Sequence, residues 1–164
     1  MKNFKLILVV LTLVFISCSK SDNNTDSYIY HFFKDKNLSI ISNNETYIKY
    51  GEIDDGDNLV FEYRYTTQGE ADIIDDEYFE NIRFEIHSNL NEFNFTNEEL
   101  ITNSKIVLWK GCNCFFEYDP EKDILPTGTI SGKRLSDTEW NISIDVTFYG
   151  NENRVINNTF KLKE

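Results

Sequence analysis

The residues of this 164-residue chain that could do chemistry are few: three cysteines, two histidines, two tryptophans and several clustered carboxylates. Cys112 and Cys114 stand two positions apart. In a regular strand that spacing separates the Cα atoms by about 6.7 Å, the outer limit for a disulfide, so a bridge requires a bent backbone. Gly111 and Asn113 could bend it, and the alternatives are two buried thiols or a share in a metal site. Zinc wants four ligands, and only His31 and His87 offer further nitrogen. Each histidine falls inside a strand-like pattern, where packing is the commoner role and general-base catalysis the rarer one. Asp54, Asp55 and Asp57 could offer oxygen ligands to calcium, as could Asp72 with Asp75, Asp76 and Glu77. Neither cluster follows the spacing of an EF-hand loop, and solvated turns account for both. Trp109 and Trp140, with many of the nine tyrosines, could form an aromatic platform for a sugar or a protein partner. Aromatics are also favoured in strands as simple cross-strand pairs.

What is missing narrows the chemistry further. The chain contains no H-E-x-x-H, no G-x-S-x-G and no glycine-rich phosphate loop, which removes the recognisable zinc-peptidase, α/β-hydrolase and P-loop readings. With 28 acidic residues, no pair of opposed carboxylates can be singled out as a glycosidase signature. No catalytic residue and no cofactor are therefore assigned. Sixteen basic residues against 28 acidic ones give a formal charge of −12, which speaks against nucleic acid as a partner.

The N-terminus has its own logic. Lys2 and Lys5 flank the start of an uncharged run from Leu6 to Ile16, the layout of a signal peptide. Those eleven residues would span roughly 16 Å as a helix, about half the hydrocarbon core of a bilayer. The following Phe15-Ile16-Ser17-Cys18 resembles the lipobox of bacterial lipoproteins, of the Bacteroidota type. The resemblance implies cleavage before Cys18 and a diacylglycerol on its thiol, so that Cys18 becomes the lipidated N-terminus. It also implies export to the outer membrane, periplasmic-facing or at the cell surface, because Ser19 rather than Asp follows the cysteine. From Cys18 onward 14 basic residues face 28 acidic ones, so the acyl chains rather than charge must hold the protein at an anionic membrane. Residues 18–27 are polar and read as a flexible tether.

From residue 28 to 164 the pattern is that of a single all-β domain. Trp140, Ile142, Ile144, Val146 and Phe148 alternate strictly with Asn141, Ser143, Asp145 and Thr147, which marks a half-buried strand. Similar alternation runs through 59–65 and 82–87, and shorter candidates lie at 28–33, 38–41, 46–50, 106–110, 114–118, 127–134 and 155–162. Asp54-Asp55-Gly56-Asp57-Asn58 reads as a tight hairpin turn, and Gly150-Asn151-Glu152-Asn153 as the turn closing the last hairpin. Thr96-Asn97-Glu98-Glu99 matches a capping box and predicts a helix of one or two turns. The expectation is an antiparallel β-sandwich or barrel of eight to ten strands with at most one short helix. Functionally it is a lipid-anchored binding or accessory module for a protein, glycan or small molecule, with a lipocalin-like carrier or an enzyme assembled from distant strands as alternatives.

Overall fold

The computed structural model describes residues 26–42, 49–67, 77–112 and 125–164. Its strands are β1 (Ser27–Ser42), β2 (Lys49–Thr66), β3 (Phe79–His87), β4 (Glu92–Thr96), β5 (Val107–Gly111), β6 (Thr127–Arg134), β7 (Glu139–Phe148) and β8 (Glu152–Leu162), with one helical turn, α1 (Glu99–Thr102). They form one eight-stranded sheet in the order β4-β6-β7-β8-β1-β2-β3-β5. Every neighbouring pair is antiparallel except β1 and β8, which meet in parallel at His31 with Lys161 and Phe32 with Leu162. The outermost strands, β4 and β5, do not pair with each other, so the sheet stays open and is not a barrel.

The sheet instead folds its halves face to face. Alternation in β7 buries Trp140, Ile142, Ile144, Val146 and Phe148 and leaves Asn141, Ser143 and Asp145 exposed. The buried face of β2 supplies Leu59, Phe61 and Tyr63, and that of β3 supplies Ile82, Phe84 and Ile86. Phe61 stacks on Phe84 at 4.9 Å and meets Trp140 of the opposite half edge-on at 5.6 Å. Phe84 similarly reaches Phe93 on β4 at 6.1 Å. Offset and edge contacts of this kind are the favoured aromatic geometries, and they fill the space between the halves. The architecture is thus sandwich-like, as the turn spacing implies. Among the described residues no helix is long and apolar enough to cross a membrane.

Three readings of the sequence change. First, Asp54 to Asn58 make no hairpin turn: they lie inside β2, where the register with β1 slips around Lys36. The same Gly-Asp chemistry that suits turns also suits a bulge. Asp35 opposite adopts φ 55°, and a Cβ on Gly56 would lie 2.1 Å from the Asn37 side chain. The reversal joins Ser42 to Lys49 across residues 43–48, outside the described residues. Second, the segments 28–33 and 38–41 are one strand, and β4 was not anticipated because its five residues sit among turn-forming asparagines. The candidate strand 114–118 lies outside the described residues. Third, only the acidic half of the capping box forms. The Thr96 backbone N–H donates to Glu99 Oε2 at 3.0 Å, but Thr96 still belongs to β4 and Glu98 holds the cap position of the single turn.

Beyond the bulge, the far part of the β1–β2 ribbon folds over the outer face of β2, β3 and β5. Leu38 is 1% exposed there, beside Gly51 and Val107. A Cβ on Gly51 would stand 2.8 Å from Leu38 Cδ1, so glycine is what lets the two layers touch.

Candidate functional site

The chemistry-bearing residues singled out from the sequence are not gathered in one place. Trp140 is 1% exposed and packs edge-on against Phe61, so it is a core residue and offers no face to a ligand. Trp109 lies on the outer face of β5, where the Arg83 guanidinium covers its ring at 4.8 Å. His31 is half-buried on β1 with Nδ1 unpartnered, whereas His87 ends β3 at the surface with Nδ1 3.2 Å from Asn58 Oδ1. Asp54 accepts a hydrogen bond from Ser39 Oγ at 2.6 Å, and Asp55 pairs with Lys36 Nζ at 2.5 Å. The hydrogen bond and charge of Lys36 hold the Asp55 carboxyl below its ordinary range. The Asp57 backbone N–H points to Asn37 Oδ1 at 3.4 Å. These acids brace the bulge, and among the described residues no three His, Cys, Asp or Glu side chains are grouped to hold a metal. Cys112 is disulfide-bonded. Cys114 and Cys18, the other two cysteines, lie outside the described residues.

The structure assembles a different constellation at the end of the sandwich where β1 begins. The pairing of β1 with β2 sets Tyr28 opposite Tyr65 and Tyr30 opposite Tyr63, all on the inner face. Ring centroids are 5.1 Å apart in the first pair and 5.6 Å in the second, and Tyr78 approaches Tyr65 at 6.3 Å. Next to them on β3, Glu80 receives a fork of two hydrogen bonds from Arg154 of the opposite half: Nε to Oε2 at 2.7 Å and Nη2 to Oε1 at 2.6 Å. The Tyr78 hydroxyl also donates to Glu80. Arg154 continues to Glu152 Oε2 at 2.7 Å, whose other oxygen pairs with Lys110 at 2.5 Å. The result is a clasp of two acids and two bases that joins facing strands.

The electrostatics of this end keep its phenols protonated and its acids and bases paired. Burial works to raise the Glu80 pKa, but the hydrogen bonds from Arg154 and Tyr78 and the charge of Arg154 outweigh it and leave the carboxyl lowered. Arg154 is raised, first by its hydrogen bond to Glu80. Tyr63 is pushed up to about 12 by burial, and Tyr65 to about 12 by its hydrogen bond to Asp26 at 2.8 Å. Tyr78 is raised by burial and by its bond to Glu80. Neutral phenols beside a compensated ion cluster present apolar rings and hydroxyl donors together, the combination that recurs at binding surfaces. Tyr28, 54% exposed, is the ring most available to a partner.

The signal for this site is present in the sequence as Tyr28-Ile29-Tyr30 and Tyr63-Arg64-Tyr65. Two Tyr-x-Tyr segments on antiparallel neighbours place four rings on one face, because side chains alternate along a strand. Away from this end, an open trough of about 430 Å³ lies over β4, β6 and β7 among Glu92, Asn94, Ser131, Lys133, Asn141 and Ser143. Comparison of the chain with protein-family models, with curated proteins and with solved structures finds no match.

Proposed function

We propose that this chain is a lipid-anchored binding module of a bacterial cell envelope, held at the outer membrane through Cys18 and acting by recognition without catalysis of its own. The observation that carries the binding part is the tyrosine-lined end, where Tyr28, Tyr65 and Tyr78 surround the Glu80–Arg154 clasp. Tyrosine and arginine are the residues that most often dominate binding energy at protein surfaces. A lipocalin-like carrier needs an interior cavity, and here the packed rings of Phe61, Phe84 and Trp140 occupy the interior. That filling favours recognition at the surface.

The anchor and the tyrosine end are close along the chain. Eight residue steps from Cys18 to Asp26 reach at most about 28 Å, so the partner is sought near the membrane surface. A lipidated Cys18 has its sulfur in a thioether, which withdraws it from the disulfide made by Cys112.

Two measurements test the two parts separately. Fatty-acid labelling in the native host should disappear in Cys18→Ser, and persistent labelling would reject the anchor. Native mass spectrometry of the detergent-extracted protein should show a bound molecule that is lost in the Tyr28→Ala, Tyr65→Ala double variant and kept in Ser143→Ala. Equal retention in both variants rejects the tyrosine end as the site.

A further inference from the structure

The edges of the two sheet halves differ in how they are guarded. β4 and β5 are five residues long, and they carry Glu92 and Lys110 respectively. Short, charged edges are a common defence against addition of a foreign strand. Because β1 meets β8 only at two residue pairs, residues 27–30 of β1 form a short edge preceded by Asp26. β8 is eleven residues long, and its first two charges, Glu152 and Arg154, are engaged in the inner clasp. It pairs with β7 without a register shift from Lys161 back to Glu152, while among the described residues no strand is hydrogen-bonded to its other side over residues 152–160. Nor does any of those nine residues make a backbone hydrogen bond to another described residue outside the ladders. Residues 155–160 (Val-Ile-Asn-Asn-Thr-Phe) contain no charge, glycine or proline and are rich in strand formers. Val155, at 72%, has the highest exposure among the large hydrophobic residues left at the surface.

We infer that this edge is a strand-addition site whose occupant is a second copy of the same chain. The two β8 strands pair antiparallel about a two-fold axis at Val155. This inference goes beyond the binding reading and does not depend on it. The axis at Val155 sets valine against valine and Asn153 against Asn157 of the second copy. Arg154 then faces Ile156 and Glu152 faces Asn158. No like charges stand opposite one another, and the most exposed hydrophobic side chain gains a cross-strand neighbour. Such an interface is self-complementary, which a foreign strand would match only by chance. It joins two β4-β6-β7-β8 halves into one continuous eight-stranded sheet.

A single strand pair is smaller than a standard interface, so the dimer is concentration-dependent. Each copy is strongly acidic, with 28 acidic residues against 16 basic in the full chain and 14 from Cys18 onward, and salt screens that mutual repulsion, so association strengthens as ionic strength rises. Sedimentation velocity of the protein purified from its host in mild detergent, across the micromolar range, should show a reversible monomer–dimer equilibrium that salt favours. Val155→Lys places two ammonium groups face to face and should leave monomer with an unchanged unfolding midpoint. Directly opposed residues in an antiparallel pair have Cα atoms about 4.5–5.5 Å apart, within disulfide range. Val155→Cys should therefore yield a covalent dimer on mild oxidation, above the background of the parent chain. Asn141→Cys, exposed in the middle of the same face, should not. Monomer at every concentration overturns the inference, as does a dimer indifferent to Val155→Lys, or equal cross-linking at the two cysteine positions.

Discussion

Glu62–Arg83 and Glu80–Arg154 are both largely buried ion pairs with one member on β3, yet they sit on opposite faces of that strand and hold different things. On the outer face, Arg83 is fully committed within the fold. Its Nε donates to Glu62 Oε2 at 2.7 Å, its Nη1 donates to the Gly51 carbonyl at 2.6 Å, and its plane covers Trp109. Glu85 works beside it, accepting the Leu38 backbone N–H at 2.7 Å and pairing with Lys105 at 2.6 Å. These charged groups latch the folded-over ribbon onto β3. On the inner face, Arg154 spans 74 residues of sequence to bind Glu80 by a two-pronged fork, and around it stand tyrosines that range from buried Tyr63 to half-exposed Tyr28. One pair closes a layer, and the other ties together the tyrosine-lined end. Similar residues therefore say little about function until the face they occupy is known.

The sharpest way to break this contrast is to remove each arginine. Arg83→Ala leaves Glu62, 6% exposed, with only a marginal contact from Asn81 Nδ2 at 3.5 Å. Stranding a buried charge in this way should cost about 3–5 kcal/mol. Arg154→Ala leaves Glu80 its hydrogen bond from Tyr78, and the loss should be about 1–3 kcal/mol. Urea denaturation of both variants checks the order, and a reversed order would mean that the inner clasp, not the outer latch, carries the fold. The clasp should also show in acid. Glu80 has a lowered folded-state pKa, so its contribution is complete above the ordinary carboxylate range and disappears as pH falls through that lowered value. Stability should therefore fall less steeply in acid for Arg154→Ala than for the parent chain.

Gly51→Ala probes the latch without touching a charge. The new methyl would stand 2.8 Å from Leu38 Cδ1 and 3.1 Å from Val107 Cγ1, so the ribbon must lift or Leu38 must turn. Overpacking of this kind costs about 1–3 kcal/mol. Hydrogen exchange should then speed up at Leu38, whose N–H is bonded to Glu85, while exchange in β7 stays slow. Uniform acceleration would show that the ribbon and the sandwich form one cooperative unit.

How much of this was legible in the sequence depends on the range of the contacts involved. Strict alternation in β7 marks both its extent and its buried face, and Trp140 sits in phase with Ile142 and Ile144. The same pattern that predicts the strand therefore already assigns that tryptophan to the core rather than to a platform. Residues 127–134 form a strand over the expected span, and Gly150 with φ 72° and Asn151 with φ 60° make the expected final turn. The Asp-Gly segment misleads because turns and bulges draw on the same residues, and only the long register with β1 decides between them. The tyrosine doublets are readable as local pairs. That Glu80 beside them binds an arginine 74 residues further along the chain is not, because the facing of sheet halves is set by the packing of the whole core.

The smallest expected effect lies in alkali and separates two tyrosines of the inner face, Tyr63 and Tyr65. Tyr63 and Tyr65 are both pushed up to about 12, the first chiefly by burial and the second chiefly by its hydrogen bond to Asp26. For an acid held protonated by the fold, the contribution to stability is complete below the ordinary tyrosine pKa of about 10. It is lost as pH rises from there toward the folded value, because the unfolded chain releases its protons first. Asp26→Ala removes the acceptor of the Tyr65 hydroxyl and leaves the packing around Tyr63 untouched. Following phenolate absorbance against pH, one late-titrating tyrosine should move back toward its ordinary range and the other should stay. If both move together, the two tyrosines respond to one shared environment and this end is a single cooperative patch. If only Tyr65 moves, its hydroxyl is tuned by Asp26, just ahead of β1.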